Sequence, residues 1–145
     1  MAIDLPSIPS AAPEPGEAVD GRVLDGVHAV IGDDGVHRCL STYLRLLPER
    51  LQSARLAAEA GQRSVAARLL ADLRAGSGMF GARRLAEFAT AAEDAMNAGG
   101  IGASGVDEVQ WTALDRQAEH VERELRRYLD RLGGGYGPGF GPPNR

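Results

Sequence analysis

The sequence predicts an all-α fold: an up-down four-helix bundle with a short extra helix at its N-terminal side. Three observations predict it. Ala, Leu, Glu and Arg, all favourable in helices, are abundant among the 145 residues. Apolar residues recur at spacings of three and four along every long segment. No segment alternates apolar and polar residues as a half-buried strand does. Amphipathic helices joined by short loops bury their apolar stripes by packing as a bundle.

Five helical stretches are expected between two non-helical ends. Residues 1–19 contain Pro6, Pro9, Pro13 and Pro15 and are expected to be a disordered Pro/Ala-rich arm. The bundle runs over residues 20–132. Asp20 can cap a short first helix carrying Val23, Leu24, Val27 and Ile31. Gly32 ends it, and Asp33 or Asp34 can cap the next. The second stretch lines up Val36, Leu40, Tyr43, Leu44 and Leu47 on one face. Pro48 should bend or restart it, and Leu51, Ala54 and Ala58 continue the stripe to Gly61. The third, from about Arg63 to Gly76, is expected to bury Val65, Leu69 and Leu73. The fourth, from about Ala82 to Asn97, turns Leu85, Phe88, Ala89, Ala92 and Met96 inward. Gly99, Gly100 and Gly102 make a loop. The fifth repeats Trp111, Leu114, Ala118, Val121, Leu125, Tyr128 and Leu132 at helical spacing. Residues 133–145, GGGYGPGFGPPNR, read as a flexible tail in which Tyr136 and Phe140 are the rings on offer to a partner.

Composition narrows the function. The formal charge is −4, with acidic and basic residues interspersed. That argues against a nucleic-acid partner, which normally leaves a basic footprint. No apolar run approaches the roughly 18 to 20 residues that span a bilayer, and residues 1–20 lack the features of a secretory signal. Cys39 is the only cysteine, so no intramolecular disulfide forms and a reducing compartment fits. A cytoplasmic, monomeric protein without membrane contact is expected. His28, His37 and His120 lie far apart, and no metal-ligand spacing is present. Gly99 to Gly102 lacks the strand and the lysine of a phosphate loop, so no cofactor is expected.

Residues 61–82 read GQRSVAARLLADLRAGSGMFGA. This stretch resembles the third helix of histidine-containing phosphotransfer (HPt) domains. The family pattern is an alanine-rich helix, then His-x-Leu-Lys-Gly-Ser, then a short run ending in an aromatic or aliphatic residue, Gly and a small residue. Laid on without gaps, Leu73 matches the leucine and Arg74 the lysine. Ala75 and Gly76 take the small positions, and Phe80, Gly81 and Ala82 close the pattern. Val23-Leu24 through Gly32-Asp33-Asp34 resembles the family's short first helix, Tyr43 to Leu51 its second, and Arg84-Leu85 to Gly99 its fourth. The resemblance covers about residues 20–132.

In this register the histidine position falls on Ala71. A register shifted by one residue would put Asp72 there instead. It would also put Arg74 on the buried leucine and demand a deletion before Phe80. An inward stripe of Val65, Leu69 and Leu73 fixes the phase and excludes the shift.

The resemblance implies a four-helix phosphorelay module that meets a response-regulator receiver domain or a histidine kinase. Phosphotransfer needs an imidazole, a neutral nucleophile near pH 7. A nearby Lys or Arg helps hold the phosphoryl charge. Ala71 offers only a methyl group, so phosphoryl acceptance is not expected there. Position 71 lies about 200° round the helix from 69 and from 73, facing away from the core. Ser64, Ala67, Arg68, Arg74, Ala75 and Gly78 share its face, a strip of small side chains flanked by arginines. Such a strip suits docking of an acidic surface, although an alanine-rich helix in an alanine-rich protein has the same look. Ala67, Arg68, Ala71, Asp72, Arg74, Ala75, Gly78, Arg83 and Arg84 are the candidate partner-binding residues. The expected role is a pseudo-phosphotransfer protein, not an enzyme. Two alternatives stay open: a carrier that uses a histidine outside the family position, foremost His120, and a purely structural helical scaffold.

Overall fold

The computed structural model describes residues 18–98 and 106–133. Four helices follow one another: α1 (Gly21–Glu59), α2 (Arg63–Met79), α3 (Arg83–Ala98) and α4 (Glu108–Leu132). No strand occurs among the described residues. Each helix packs against its neighbours in the chain, and α4 closes the ring against α1. The result is an up-down four-helix bundle in which α2 lies diagonal to α4. The Gly99–Gly102 loop and the tail beyond Gly133 lie outside the described residues.

The expected break at Gly32 is present as a kink inside α1, where φ is 77° and ψ is 178°. A left-handed φ of this kind favours glycine. The helical stretch ahead of it is therefore the short extra helix, and His28 pairs with Asp33 across the kink. Of the bend or restart expected at Pro48, the restart does not occur. Gly32 is the one non-helical residue inside α1, so the helix runs through Pro48. The buried stripe of Tyr43, Leu44, Leu47, Leu51 and Ala54 spans the proline. Packing on both sides outweighs the lost backbone hydrogen bond, about 3 kcal/mol in an unsupported helix.

Two short turns make the bundle compact. After α1, Gly61 (φ 78°) lets Gln62 N donate to Ala57 O at 2.8 Å and Gly61 N to Ala58 O at 3.0 Å. After α2, Gly81 (φ 82°) lets Ala82 N donate to Ser77 O at 2.8 Å and Gly81 N to Gly78 O at 3.2 Å. Both are Schellman motifs, which need a left-handed residue just past the helix end. Asp107 opens α4 with a capping box to Gln110.

The core is aliphatic. Leu24, Leu40, Leu47, Leu70, Leu73, Leu85, Leu114 and Leu125 are essentially inaccessible. The α4 stripe buries Trp111, Leu114, Ala118, Val121, Leu125 and Tyr128, as its spacing predicts. The α2 stripe is rotated from expectation. Ala66, Ala67, Leu70, Leu73 and Ser77 are buried, whereas Val65 is 41% exposed and Leu69 only half-buried.

The N-terminal boundary also moves. Ala18 and Val19 are buried, and their amides donate to the two carboxylate oxygens of Glu124 at 2.8 and 2.9 Å. The amide of Asp20 donates to Gly81 O at 2.9 Å. Residues 18–20 thus form a strap from α4 to the α2–α3 turn, and the body begins two residues earlier than the capping signal at Asp20 suggested.

Gly81 has no room for a side chain. A Cβ there would meet the backbone oxygen of Asp20 at 2.8 Å, in addition to the strain of its positive φ. Gly81→Ala is expected to lower stability by about 1–3 kcal/mol in urea melts. Gly78→Ala, which meets no atom within 4 Å, should be neutral or stabilising by up to about 1 kcal/mol.

Candidate functional site

Helix α2 carries the candidate site, and its rotation decides which residues face solvent. Ser77 is the one buried polar residue beside the apolar core of the described chain. Its hydroxyl meets that of Tyr43 at 2.7 Å, in a buried contact between α1 and α2. Tyr43 also lies against Phe80, with ring centroids 5.2 Å apart. Gly76 lets the Tyr43 ring approach the α2 backbone, since a Cβ there would already touch it at 3.4 Å. These contacts turn Ser77 inward and leave the opposite side of α2 open.

The open side bears Arg68, Asp72, Ala75, Gly78 and Met79, all exposed. Ala71 sits at its edge, half-buried. Of the candidate residues on α2, two need correction. Ala67 is 7% exposed and belongs to the core edge. It sits within one turn of Leu70 on the inner side, so its methyl packs rather than docks. Arg74 is half-exposed, but its Nε donates to Glu93 Oε1 on α3 at 3.0 Å. Its charge is engaged between α2 and α3, not held free above Ala71. Arg83 and Arg84 are exposed at the start of α3. Arg83 lies close enough to Asp20 to help hold that carboxyl below its usual range, alongside the nearer Arg22 contacts and against the opposing effect of burial.

The stripe of Val65, Leu69 and Leu73 expected to face inward is rotated in the same way. The inner stripe is 66, 70, 73 and 77. Leu73 nevertheless remains in it at 1% exposure, while Arg74 does not. The unshifted register keeps a buried leucine at the pattern's leucine.

Two apolar residues on α2 are exposed against or beyond expectation: Val65, expected inward, and Met79, 61% exposed, which the sequence pattern does not single out. Both follow from the phase: Met79, two residues past Ser77, lies about 200° round the helix from it, and Val65, one before Ala66, about 100° round. Without the Ser77 contact that phase was not visible.

No histidine lies on α2. His28 is on the short helical stretch ahead of Gly32, His37 is half-buried on α1, and His120 is half-buried on α4. Arg123 Nη2 donates to His120 Nδ1 at 2.9 Å. A guanidinium can only donate, so Nδ1 accepts and the ring proton of a neutral His120 sits on Nε2. Neither nitrogen then offers a free lone pair. Among the described residues no cluster of His, Cys, Asp and Glu is placed to hold a metal ion, and no helix is long and apolar enough to cross a membrane.

Comparison with known proteins agrees with the helical pattern. The family model of the Hpt domain matches residues 38–135, more than half of the chain. The chain belongs to the Hpt domain family. Hpt domains serve two-component phosphorelays as phosphotransfer carriers, not as classical enzymes, and they interact with receiver domains and histidine kinases. Neither a curated protein nor a solved structure matches the chain significantly. The Hpt match takes in α2, α3 and α4 whole and α1 from Arg38 onward. It leaves out the short helix ahead of Gly32 and the strap, which are the parts that tie α4 to the α2–α3 turn.

The Tyr43–Ser77 contact has a pH signature. Burial pushes the Tyr43 phenol from 10.0 up to about 12, opposed by the Ser77 hydrogen bond and the charge of Arg50. The folded state therefore favours the neutral phenol. Its stabilisation is complete below pH 10 and is lost as pH rises through about 12. Urea midpoints measured across that window should fall by the equivalent of roughly 2–3 kcal/mol. Most of the fall should vanish in Tyr43→Phe, the remainder tracking Tyr128, whose phenol is also raised by burial and Asp25.

Proposed function

We propose that this Hpt domain docks a receiver domain or a histidine kinase through the exposed face of α2 around Ala71, without accepting a phosphoryl group. The observation that carries the reading is the methyl group of Ala71. Laying the family pattern on Leu73, Phe80 and Gly81, all buried, would put its histidine at Ala71, and this supports the reading. Phosphotransfer requires a nitrogen lone pair to attack phosphorus as the aspartyl P–O bond breaks. A methyl group has none. The three imidazoles of the chain sit on other helices.

Docking does not need the imidazole. It needs close approach and complementary charge. Ala71, Ala75 and Gly78 project little, so a partner surface can lie near the α2 backbone. Met79 adds an apolar contact at the end of the strip. Arg68, Arg83 and Arg84 supply positive charge without an ion pair to any described carboxylate within 4 Å. An acidic partner surface fits this arrangement. A module of this kind, working in the cytoplasm as a monomer, would occupy the partner and keep an active phosphotransfer domain off the same surface.

Calorimetry against receiver domains, paired with radiolabelled phosphoryl transfer from the same receivers, tests the proposal. The natural protein should bind and acquire no label. Ala71→His should bind and become labelled. Ala71→Arg and Ala75→Trp should each weaken binding tenfold or more, about 1.4 kcal/mol, with helicity unchanged by circular dichroism. Label on the natural protein that disappears in His120→Gln would sink the reading in favour of a carrier histidine on α4.

A further inference from the structure

Among the described residues four arginines are half-buried: Arg50, Arg55, Arg63 and Arg74. Three of them are tied to other groups. Arg55 meets Glu59, Glu108 and Asp115, Arg63 donates to the carbonyls of Ala95 and Met96, and Arg74 donates to Glu93. Arg50 has no described carboxylate within 4 Å and no hydrogen bond to a described residue. Taking a guanidinium partly out of water without a partner costs free energy. Its donors stay available to an acceptor that arrives later.

Helices α1 and α2 together set the place of this side chain. Arg50 precedes the buried Leu51 on α1. Its guanidinium reaches across to α2, where Nη1 lies 3.9 Å from the point that a Cβ on Gly76 would occupy. The Tyr43 ring lies 3.4 Å from the same point, and the charge of Arg50 acts on the Tyr43 phenol. The missing side chain of Gly76 leaves this space. Gly76 is about 100° round α2 from the buried Ser77, so the guanidinium borders the open face of α2 along its α1 edge. Asp72, one turn earlier and about 6 Å along the axis from Gly76, is exposed on the same flank. No ion pair within 4 Å joins it to Arg50.

These charges restrict what fits. A guanidinium is a planar fork that takes a carboxylate through two parallel hydrogen bonds. The neighbours Gly76 and Tyr43 already restrain this one. Seating a carboxylate on it therefore loses less side-chain freedom than on the exposed Arg68 or Arg84. A carboxylate displaced one turn along the edge meets Asp72 and is repelled.

We infer that Arg50 is a specificity contact of the docking face: it receives one acidic side chain of a receiver domain in the groove between α1 and α2, and Asp72 fixes where that acid can sit. The inference rests on the docking role proposed above and adds to it a residue from α1.

Calorimetry on the full chain, with the receiver domains used to test docking, checks the contact. Arg50→Gln should weaken binding at least about tenfold, as for a charged hydrogen-bonded contact, with the urea midpoint unchanged. Arg50→Lys keeps the charge but not the fork and should recover part of the loss. Asp72→Asn should bind as tightly as the natural chain or more tightly. The Arg50 Nε–H resonance in nitrogen-15 spectra should move when the receiver is added. A purely structural Arg50 would give a lower urea midpoint in Arg50→Gln with affinity unchanged, which overturns the inference and leaves docking standing. Where midpoint and affinity fall together, a stationary Nε–H resonance overturns it. A loss in Asp72→Asn as large as that in Arg50→Gln would mean that this edge reads a basic group, and also overturns it. If the natural chain binds no receiver, the docking role itself fails and takes the Arg50 contact with it.

Discussion

The hydroxyl-to-hydroxyl contact between Ser77 and Tyr43 sets the rotation of α2, and the rest of the site depends on it. A buried serine without a partner would leave an unsatisfied polar group at a cost of about 1–3 kcal/mol. Only one rotation of α2 brings Ser77 Oγ to the Tyr43 phenol at 2.7 Å. That rotation sends Leu70 and Leu73 inward and turns Arg68, Asp72, Ala75 and Met79 to solvent. Gly76 is part of the same fit, because the Tyr43 ring lies against its backbone. The exposed face is in this sense a by-product of how the buried face is satisfied.

The α2–α3 turn is the second fixed point. Gly81 closes the Schellman motif and also accepts the Asp20 amide, so one small residue serves the hairpin and the strap. Glu124 completes the strap with both carboxylate oxygens. Such charge-assisted bonds to backbone amides are stronger than neutral ones. The strap lies outside the segment matched by the Hpt model, yet it joins three elements of the bundle at the end where α2 meets α3.

The arginines divide into two groups by what they touch. Arg55 is held by Glu59, Glu108 and Asp115 and sits over the Trp111 ring, binding the end of α1 to the start of α4. Arg63 caps the carbonyls of Ala95 and Met96 at the end of α3. Arg74 ties α2 to α3 through Glu93. These serve the fold. Among the described residues Arg68 and Arg84 have no such partner, and both are exposed, Arg68 on the open side of α2 and Arg84 at the start of α3. Exposed pairs contribute little to stability, commonly less than about 1 kcal/mol, so leaving these two arginines unpaired costs the fold little.

The sequence by itself determined the helices and the family. Helical spacing in α4 is unambiguous because Trp111, Leu114, Ala118, Val121, Leu125 and Tyr128 are separated by charged residues. Gly32, Gly61 and Gly81 mark the breaks because each adopts a φ that other residues resist. Helix α2 was different. Apolar residues stand at 65, 66, 67, 69, 70, 71, 73 and 75, so spacing alone admits several phases. The buried residue that decides among them is a serine. Only the tertiary structure, through a hydroxyl on α1, chose the phase and thereby separated Ala67 and Arg74 from the open face. It also decided that Pro48 stays within a helix, because packing on both sides holds α1 together. The strap was equally illegible, since its partners Gly81 and Glu124 lie 61 and more than 100 residues away in sequence. Local pattern reports propensity and amphipathicity; which polar groups must meet is settled only when the helices pack.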